Sequence, residues 1–280
     1  MTTIRETWIR GAERLAAVGI DSARLDARVL LAHTMNLTPG ESVSSREPSA
    51  EELARYEELL ERRRAREPVA YIIGEREFWS LPFAVGPGVL VPRPETETLL
   101  EQAQRFFRDE SESLEVLDLG TGSGAILIAF LKTYPQARGT GIDASPEALV
   151  WARRNAEALG VAGRSAWREG GWDAAMGQAF DLIFANPPYL ALDERARLAP
   201  EVGRYEPSEA LFAGPEGLES YRALAPVLAA VLRPQGLAIL ELGAGQGEAV
   251  SGILGSYGLE IRTIAPDLAG IPRALVAGRA

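Results

Sequence analysis

The stretch Leu114-Glu115-Val116-Leu117-Asp118-Leu119-Gly120-Thr121-Gly122-Ser123-Gly124 decides how this chain is read. Leu114–Leu117 has the length and apolar content of a buried strand. The glycines that follow let the backbone turn sharply and let a ligand approach it closely. A helix opens near Ala125-Ile126. The next strand, Gly139–Ile142, ends in Asp143. An acid at the end of the second strand is placed to bind a ribose diol. The order strand, glycine loop, helix, strand, acid points to a ligand of adenosine type. The loop is not G-x-G-x-x-G, and no G-x-x-x-x-G-K-[ST] follows, so a pyrophosphate or triphosphate is not the expected cargo.

Outward from this stretch the alternation continues. Phe180–Phe184, Ala238–Leu242, Leu259–Ile264 and Ala274–Ala277 have strand character, with Arg164–Arg168 a weaker candidate. Helical stretches separate most of them, which predicts a parallel, doubly wound α/β sheet. The loop between the last two strands has no room for a helix, so that pair is expected to be antiparallel at one edge. No internal repeat or low-complexity tract is present.

Phe180-Asp181-Leu182-Ile183-Phe184-Ala185 runs directly into Asn186-Pro187-Pro188-Tyr189. Two prolines end the strand, since neither has an N–H for a ladder and both fix φ. Asn186 precedes a proline, so its own backbone is held extended. A polar amide is therefore held on a stiff backbone at a strand's carboxyl end, where open α/β sheets bind ligands.

Toward the N-terminus the period changes. Residues 4–18 have helical spacing, Asp21-Ser22 can cap a second helix with Leu25, Val29, Leu30 and Met35 inward, and Ser49 with Glu52 forms a capping box for a third. A short helix is expected around 39–43. Arg62-Arg63-Arg64-Ala65-Arg66 reads as a solvated basic helix end that complements the dipole, or as a contact for RNA or an acidic partner. From Pro68, Val69–Gly74, Glu77–Trp79, Phe83–Val85 and Val89–Val91 look like short strands around a Gly86-Pro87-Gly88 turn. The expected organisation is a helical domain over 1–67, a β-hairpin linker over 68–92 and an α/β domain over 93–280.

Composition narrows the chemistry. The net charge of −10 disfavours tight non-specific binding to phosphate backbones. Cysteine is absent, which removes disulfides, thiolate nucleophiles and Cys-based metal sites. The single histidine, His33, lies in a helical pattern with no polar partners nearby in sequence. Chemistry in this chain is expected to use neither His nor Cys. No signal peptide and no run long enough to span a membrane are visible, so a cytoplasmic protein is expected.

D-x-G-x-G-x-G, the acid of Asp143 and N-P-P-Y after a later strand together resemble the class I S-adenosylmethionine-dependent methyltransferases that act on planar amino groups. Further motifs narrow the resemblance. Phe78, Pro92-Arg93-Pro94-Glu95-Thr96-Glu97, Tyr205-Glu206-Pro207 with Ala210-Leu211, Gly217-Leu218, Tyr221-Arg222, Leu240-Glu241-Leu242-Gly243 with Gln246, and the helical N-terminus look like the HemK/PrmC family. The resemblance covers nearly the whole chain. It implies a Rossmann-like seven-stranded methyltransferase domain, mostly parallel with an antiparallel last strand, behind a small helical bundle that recognises substrate. It implies S-adenosyl-L-methionine as donor and the glutamine side chain of the Gly-Gly-Gln motif in class I peptide-chain release factors as acceptor. It assigns donor binding to Gly120, Thr121, Gly122, Ser123, Gly124, Asp143, Trp172 and Asn186. It assigns the acceptor to Asn186, Pro187, Pro188 and Tyr189, with Asn186 Oδ1 and the Pro187 carbonyl accepting from the amide and Tyr189 packing on its plane.

Two positions depart from the family pattern. Gly171 precedes Trp172 where the family has Asp, so a carboxylate toward the adenine is missing, and Glu216 stands where Asp is usual. A monomer with no metal, no DNA partner and no membrane contact is expected. Two rival readings remain: methylation of an exocyclic amine of DNA adenine or rRNA guanine, which would need a flipped base, and a non-catalytic adaptor that retains a dead site.

Overall fold

The computed structural model describes residues 3–37 and 47–280; the helix expected around 39–43 falls outside them. The chain divides into two compact units, one of residues up to Glu75 with Ala199–Tyr205, the other of Arg76–Leu198 with Glu206–Ala280.

The first unit is helical, with α1 (Ile4–Ala16), α2 (Ala23–Thr34), α3 (Ala50–Arg64) and α4 (Val69–Ile73). Reciprocal capping boxes start α1, at Thr3 and Glu6, and α3, at Ser49 and Glu52. Ser22 begins α2 without a side-chain cap; its hydroxyl donates to Asp26 instead, at 2.8 Å. The inward stripe of α2 is Ala23, Ala27, Leu30 and Leu31, packed with Leu15, Tyr56 and Leu60, while Leu25 is exposed. The arginine run is largely consumed internally. Arg63 is buried and pairs with both Asp26 and Glu201 at 2.7 Å. Arg66 donates to the Val18 and Gly19 carbonyls, and Arg62 pairs with Glu67.

Residues 69–73, expected as a strand, form α4, closed by Gly74 at φ 80°. A short apolar run has no decisive period, and here Tyr71 and Ile72 are buried from a single helical turn. The hairpin that follows is β1 (Glu75–Phe78) and β2 (Leu81–Ala84). It turns at Trp79-Ser80, both with positive φ, and not at Gly86–Gly88. That pair of positive φ values is the type I′ signature, which suits the twist of a two-residue hairpin. Val89–Val91 is not a strand. It lies between Pro87 and Pro92, which cannot donate to a ladder, and its Val91 N–H goes to the Glu206 carboxylate at 3.3 Å.

The second unit continues with α5 (Glu97–Phe106), β3 (Glu115–Leu119), α6 (Ala125–Thr133), β4 (Arg138–Asp143), α7 (Pro146–Ala158), β5 (Ser165–Glu169), β6 (Phe180–Ala185) and β7 (Leu190–Ala191). After α8 (Pro200–Tyr205), which belongs to the helical unit, come β8 (Phe212–Gly214), α9 (Glu219–Val231), β9 (Leu232–Glu241), α10 (Gly247–Gly255), β10 (Leu259–Pro266) and β11 (Pro272–Arg279). The main sheet has seven strands in the order β10-β11-β9-β6-β3-β4-β5. β3, β4, β5, β6 and β9 run parallel, and β11 pairs antiparallel with both β9 and β10. The last strand therefore sits one position in from the edge, and β10 forms the edge.

Both faces of the sheet are covered, as a parallel sheet requires. Val116, Leu182, Phe184 and Ile239 point to one core with α5 and α6. Leu117, Leu119, Ile183, Ala185 and Leu240 point to the other with α9 and α10. The strand order reverses direction between β3 and β6, so a crevice is expected above their carboxyl ends.

Candidate active site

β3 and β6 are adjacent and end in register, Leu119 opposite Ala185, so Gly120 and Asn186 leave the sheet side by side. The N–H groups of Gly120 and Thr121 both donate to the Ile142 carbonyl, at 2.8 and 3.0 Å, which folds the loop over the end of β4. Gly120, Gly122 and Gly124 all have positive φ, and Gly124 leads into α6. A Cβ built on Gly120 would stand 3.3 Å from the Trp172 ring and 3.9 Å from the Asn186 carbonyl. The position needs glycine for its backbone angle and has little room for a side chain.

Asp143 ends β4 and accepts from the Gly122 N–H at 2.8 Å and the Ser145 N–H at 2.9 Å. It does not cap α7; Ser145 does, accepting from the Ala148 N–H. Burial raises the Asp143 pKa, and its backbone N–H bonds oppose the rise. Asp118, beneath the loop, is fully buried; burial pushes its carboxyl up to about 7, and only Oδ2 has a partner, the Thr121 hydroxyl at 2.6 Å.

A cavity of about 650 Å³ opens here, lined by Gly120, Thr121, Gly122, Ser123, Asp143, Trp172, Asn186 and Pro188 among others. The structure thus gathers the glycine loop, the acid, the tryptophan and the asparagine into one site. Gly124, Pro187 and Tyr189 do not line it: Pro187 is buried and Tyr189 packs against the core under α9. The Tyr189 hydroxyl donates to Glu241 at 3.3 Å, and its pKa is raised by burial. The polar lining suits an adenosine-type group carrying positive charge. Among the described residues its acids are Asp143, Glu147 and Glu209, and its one cation, Arg93, is paired with buried Glu206 at 2.7 Å, which leaves no unpaired side-chain cation for a pyrophosphate. Gly171 lines the cavity; Asp173 does not line it, but its Oδ1 lies 3.1 Å from where a Gly171 Cβ would stand.

Residue physics alone did not decide one wall, formed by Phe78, Gly88, Val89, Leu90, Pro92, Arg93 and Thr96. Its only local signal is the proline density from Pro87 to Pro94, which marks irregular backbone and not a site. Thr96 also hydrogen-bonds with Asn186, whose Nδ2 donates to the threonine hydroxyl at 3.3 Å.

The fold and this crevice define a class I methyltransferase. Two solved structures share the fold: a T. thermophilus 16S rRNA methyltransferase in complex with AdoMet and guanosine (TM-score 0.53, 20% identity, 74% of this chain and 50% of that one) and a Pyrococcus furiosus methyltransferase (TM-score 0.51, 19% identity, 70% and 88%). Family models match the PrmC N-terminal domain over residues 6–74 and the methyltransferase small domain over 95–201. Release factor glutamine methyltransferases from Cereibacter sphaeroides and Rhodospirillum rubrum are 48% and 44% identical to this chain. They align over 95% and 96% of it, and over 94% and 83% of their own lengths. The chain belongs to the release factor glutamine methyltransferase family.

Proposed function

We propose that this chain transfers a methyl group from S-adenosyl-L-methionine to the side-chain amide nitrogen of the glutamine in the Gly-Gly-Gln motif of class I peptide-chain release factors. The observation that carries the reading is the register of β3 with β6, which sets Asn186 beside the glycine loop in one cavity. Identities of 48% and 44% to release factor glutamine methyltransferases, over 95% and 96% of this chain, support the substrate.

The donor, when bound, supplies an already activated methyl group on a sulfonium. The glutamine amide is a poor nucleophile, because its nitrogen lone pair is delocalised into the carbonyl. The chain's task is to hold that nitrogen in line and to favour positive charge as it develops there. Asn186, which lines the cavity, would accept from one amide N–H; the resemblance gives the other to the carbonyl of Pro187, a residue buried behind the cavity lining, and the prolines fix where those acceptors point. Asp143 and the Gly120–Ser123 backbone would hold the ribose and donor tail. Trp172 would pack along the adenine. The proton released with the product goes to water, in keeping with a site that no histidine lines.

We assign recognition of the protein substrate to the helical unit, and expect a monomer acting in the cytoplasm without a nucleic-acid partner. Among the described residues no helix is long and apolar enough to cross a membrane. Incubation with methyl-labelled donor tests the reading. A purified release factor should be labelled, with the mass increment on its Gly-Gly-Gln peptide. Label on DNA or rRNA and none on the release factor would favour the exocyclic-amine reading instead.

A further inference from the structure

We propose that Thr96 and Glu241 are positioning residues that fix which end of the Asn186 amide faces the substrate. The proposal rests on the role given to Asn186 above.

Glu241 lies at the end of β9 and is fully buried. Its Oε2 accepts from the Thr96 hydroxyl at 2.5 Å and its Oε1 from the Tyr189 hydroxyl at 3.3 Å. The nearby cation, Arg273, does not pair with it: the guanidinium is spent on Asp267 and the Leu242 carbonyl. A carboxylate buried without a direct ion pair is costly to keep, and a fold needs no such group to close its core. A functional use is therefore the better account of it.

That use follows from donor and acceptor counting. Once ionised, above the region near 7 to which burial raises its pKa, the Glu241 carboxylate only accepts, so Thr96 then spends its single hydroxyl proton on it. The threonine oxygen is then left only lone pairs for its other neighbour, Asn186. Only the Nδ2 end of that amide can donate to it, and the structure has that bond. The amide is thereby prevented from flipping, and Oδ1 remains the end available on the cavity side. The flipped amide would present a donor to the substrate's own N–H groups, a mismatch of two donors. Tyr189 is tied to the same carboxylate, so Glu241 links the ends of the Asn186–Tyr189 segment to the turn that carries Thr96.

The test is Thr96→Val, which keeps the shape and removes the hydroxyl, against Thr96→Ser, which keeps the hydroxyl. With donor and release factor, T96V should lose about 100-fold in kcat, the scale expected when a reacting group is misplaced. Its KM for the donor should change far less than kcat, since the glycine loop, Asp143 and Trp172 are untouched. T96S should recover kcat to within about threefold of wild type. T96V turning over like wild type, or T96S failing as badly as T96V, would overturn the proposal. Neutron diffraction of the deuterated enzyme reads the amide directly, whichever acceptor proves to be methylated. Deuterium on the Asn186 atom facing Thr96 supports the proposal; a bare oxygen there overturns it.

Discussion

The Gly122 N–H donates to the Asp143 carboxylate at 2.8 Å, so the acid meant for the ligand also shapes the loop that receives it. Asp143→Ala should then damage donor binding twice, by losing the ribose acceptor and by loosening the loop. We expect donor Kd to rise by at least about 10-fold, or about 1.4 kcal/mol, measured by calorimetry. Unchanged affinity would remove Asp143 from the site.

Asn186→Ala removes the proposed acceptor without touching the glycine loop. Turnover should fall by at least about 100-fold, the scale seen when one transition-state hydrogen bond is deleted. Donor Kd should change only a few-fold. Near-normal kcat in this variant would rule out the assigned role.

Gly120 has φ +73°, and its absent Cβ would sit 3.3 Å from Trp172. Gly120→Ala should strain the backbone by roughly 1–3 kcal/mol and push the indole. Both donor affinity and melting temperature should drop. Trp172→Ala should weaken donor binding while leaving the fold cooperative. A G120A protein that binds donor normally would remove the conformational role assigned to Gly120.

Stability should depend on pH in a definite direction. Burial pushes both Asp118 and Glu241 up to about 7, whereas unfolded carboxyls titrate near 4. Between those values the native state holds more protons than the unfolded chain, so stability is greatest below the window and falls as pH rises through it. Thermal melts should show a lower Tm at pH 8 than at pH 5. Glu241→Gln, which cannot ionise, should flatten that decline by on the order of a few degrees. Equal slopes in the two proteins would mean that Glu241 is not held protonated by its burial.

Much of the site could be read locally. Strand period, glycine spacing and the terminal acid put Asp118–Gly124 and Asp143 on neighbouring strand ends, because a βαβ unit leaves few other arrangements. The prolines after Asn186 declared a strand end for the same kind of reason. Val69–Ile73 departs from the strand expectation because five apolar residues carry no period that separates a strand from a helical turn. Val89–Val91 departs from it because apolar content marks burial, and burial does not require a ladder.

The sequence by itself determined the strand–helix alternation from residue 114 onward, the doubly wound class and the chemical types available, with no cysteine and one histidine remote from the motifs. Each of these follows from local backbone preference and composition. Only the tertiary structure decided that Thr96, Asn186 and Glu241 meet. Those residues are far apart along the chain, and their contact depends on β9 lying beside β6 in the sheet. It also decided that Arg63 is buried between Asp26 and Glu201 and is not displayed to a partner. A hydrogen-bond partner or an ion pair at long separation is a property of packing, and no local pattern encodes it.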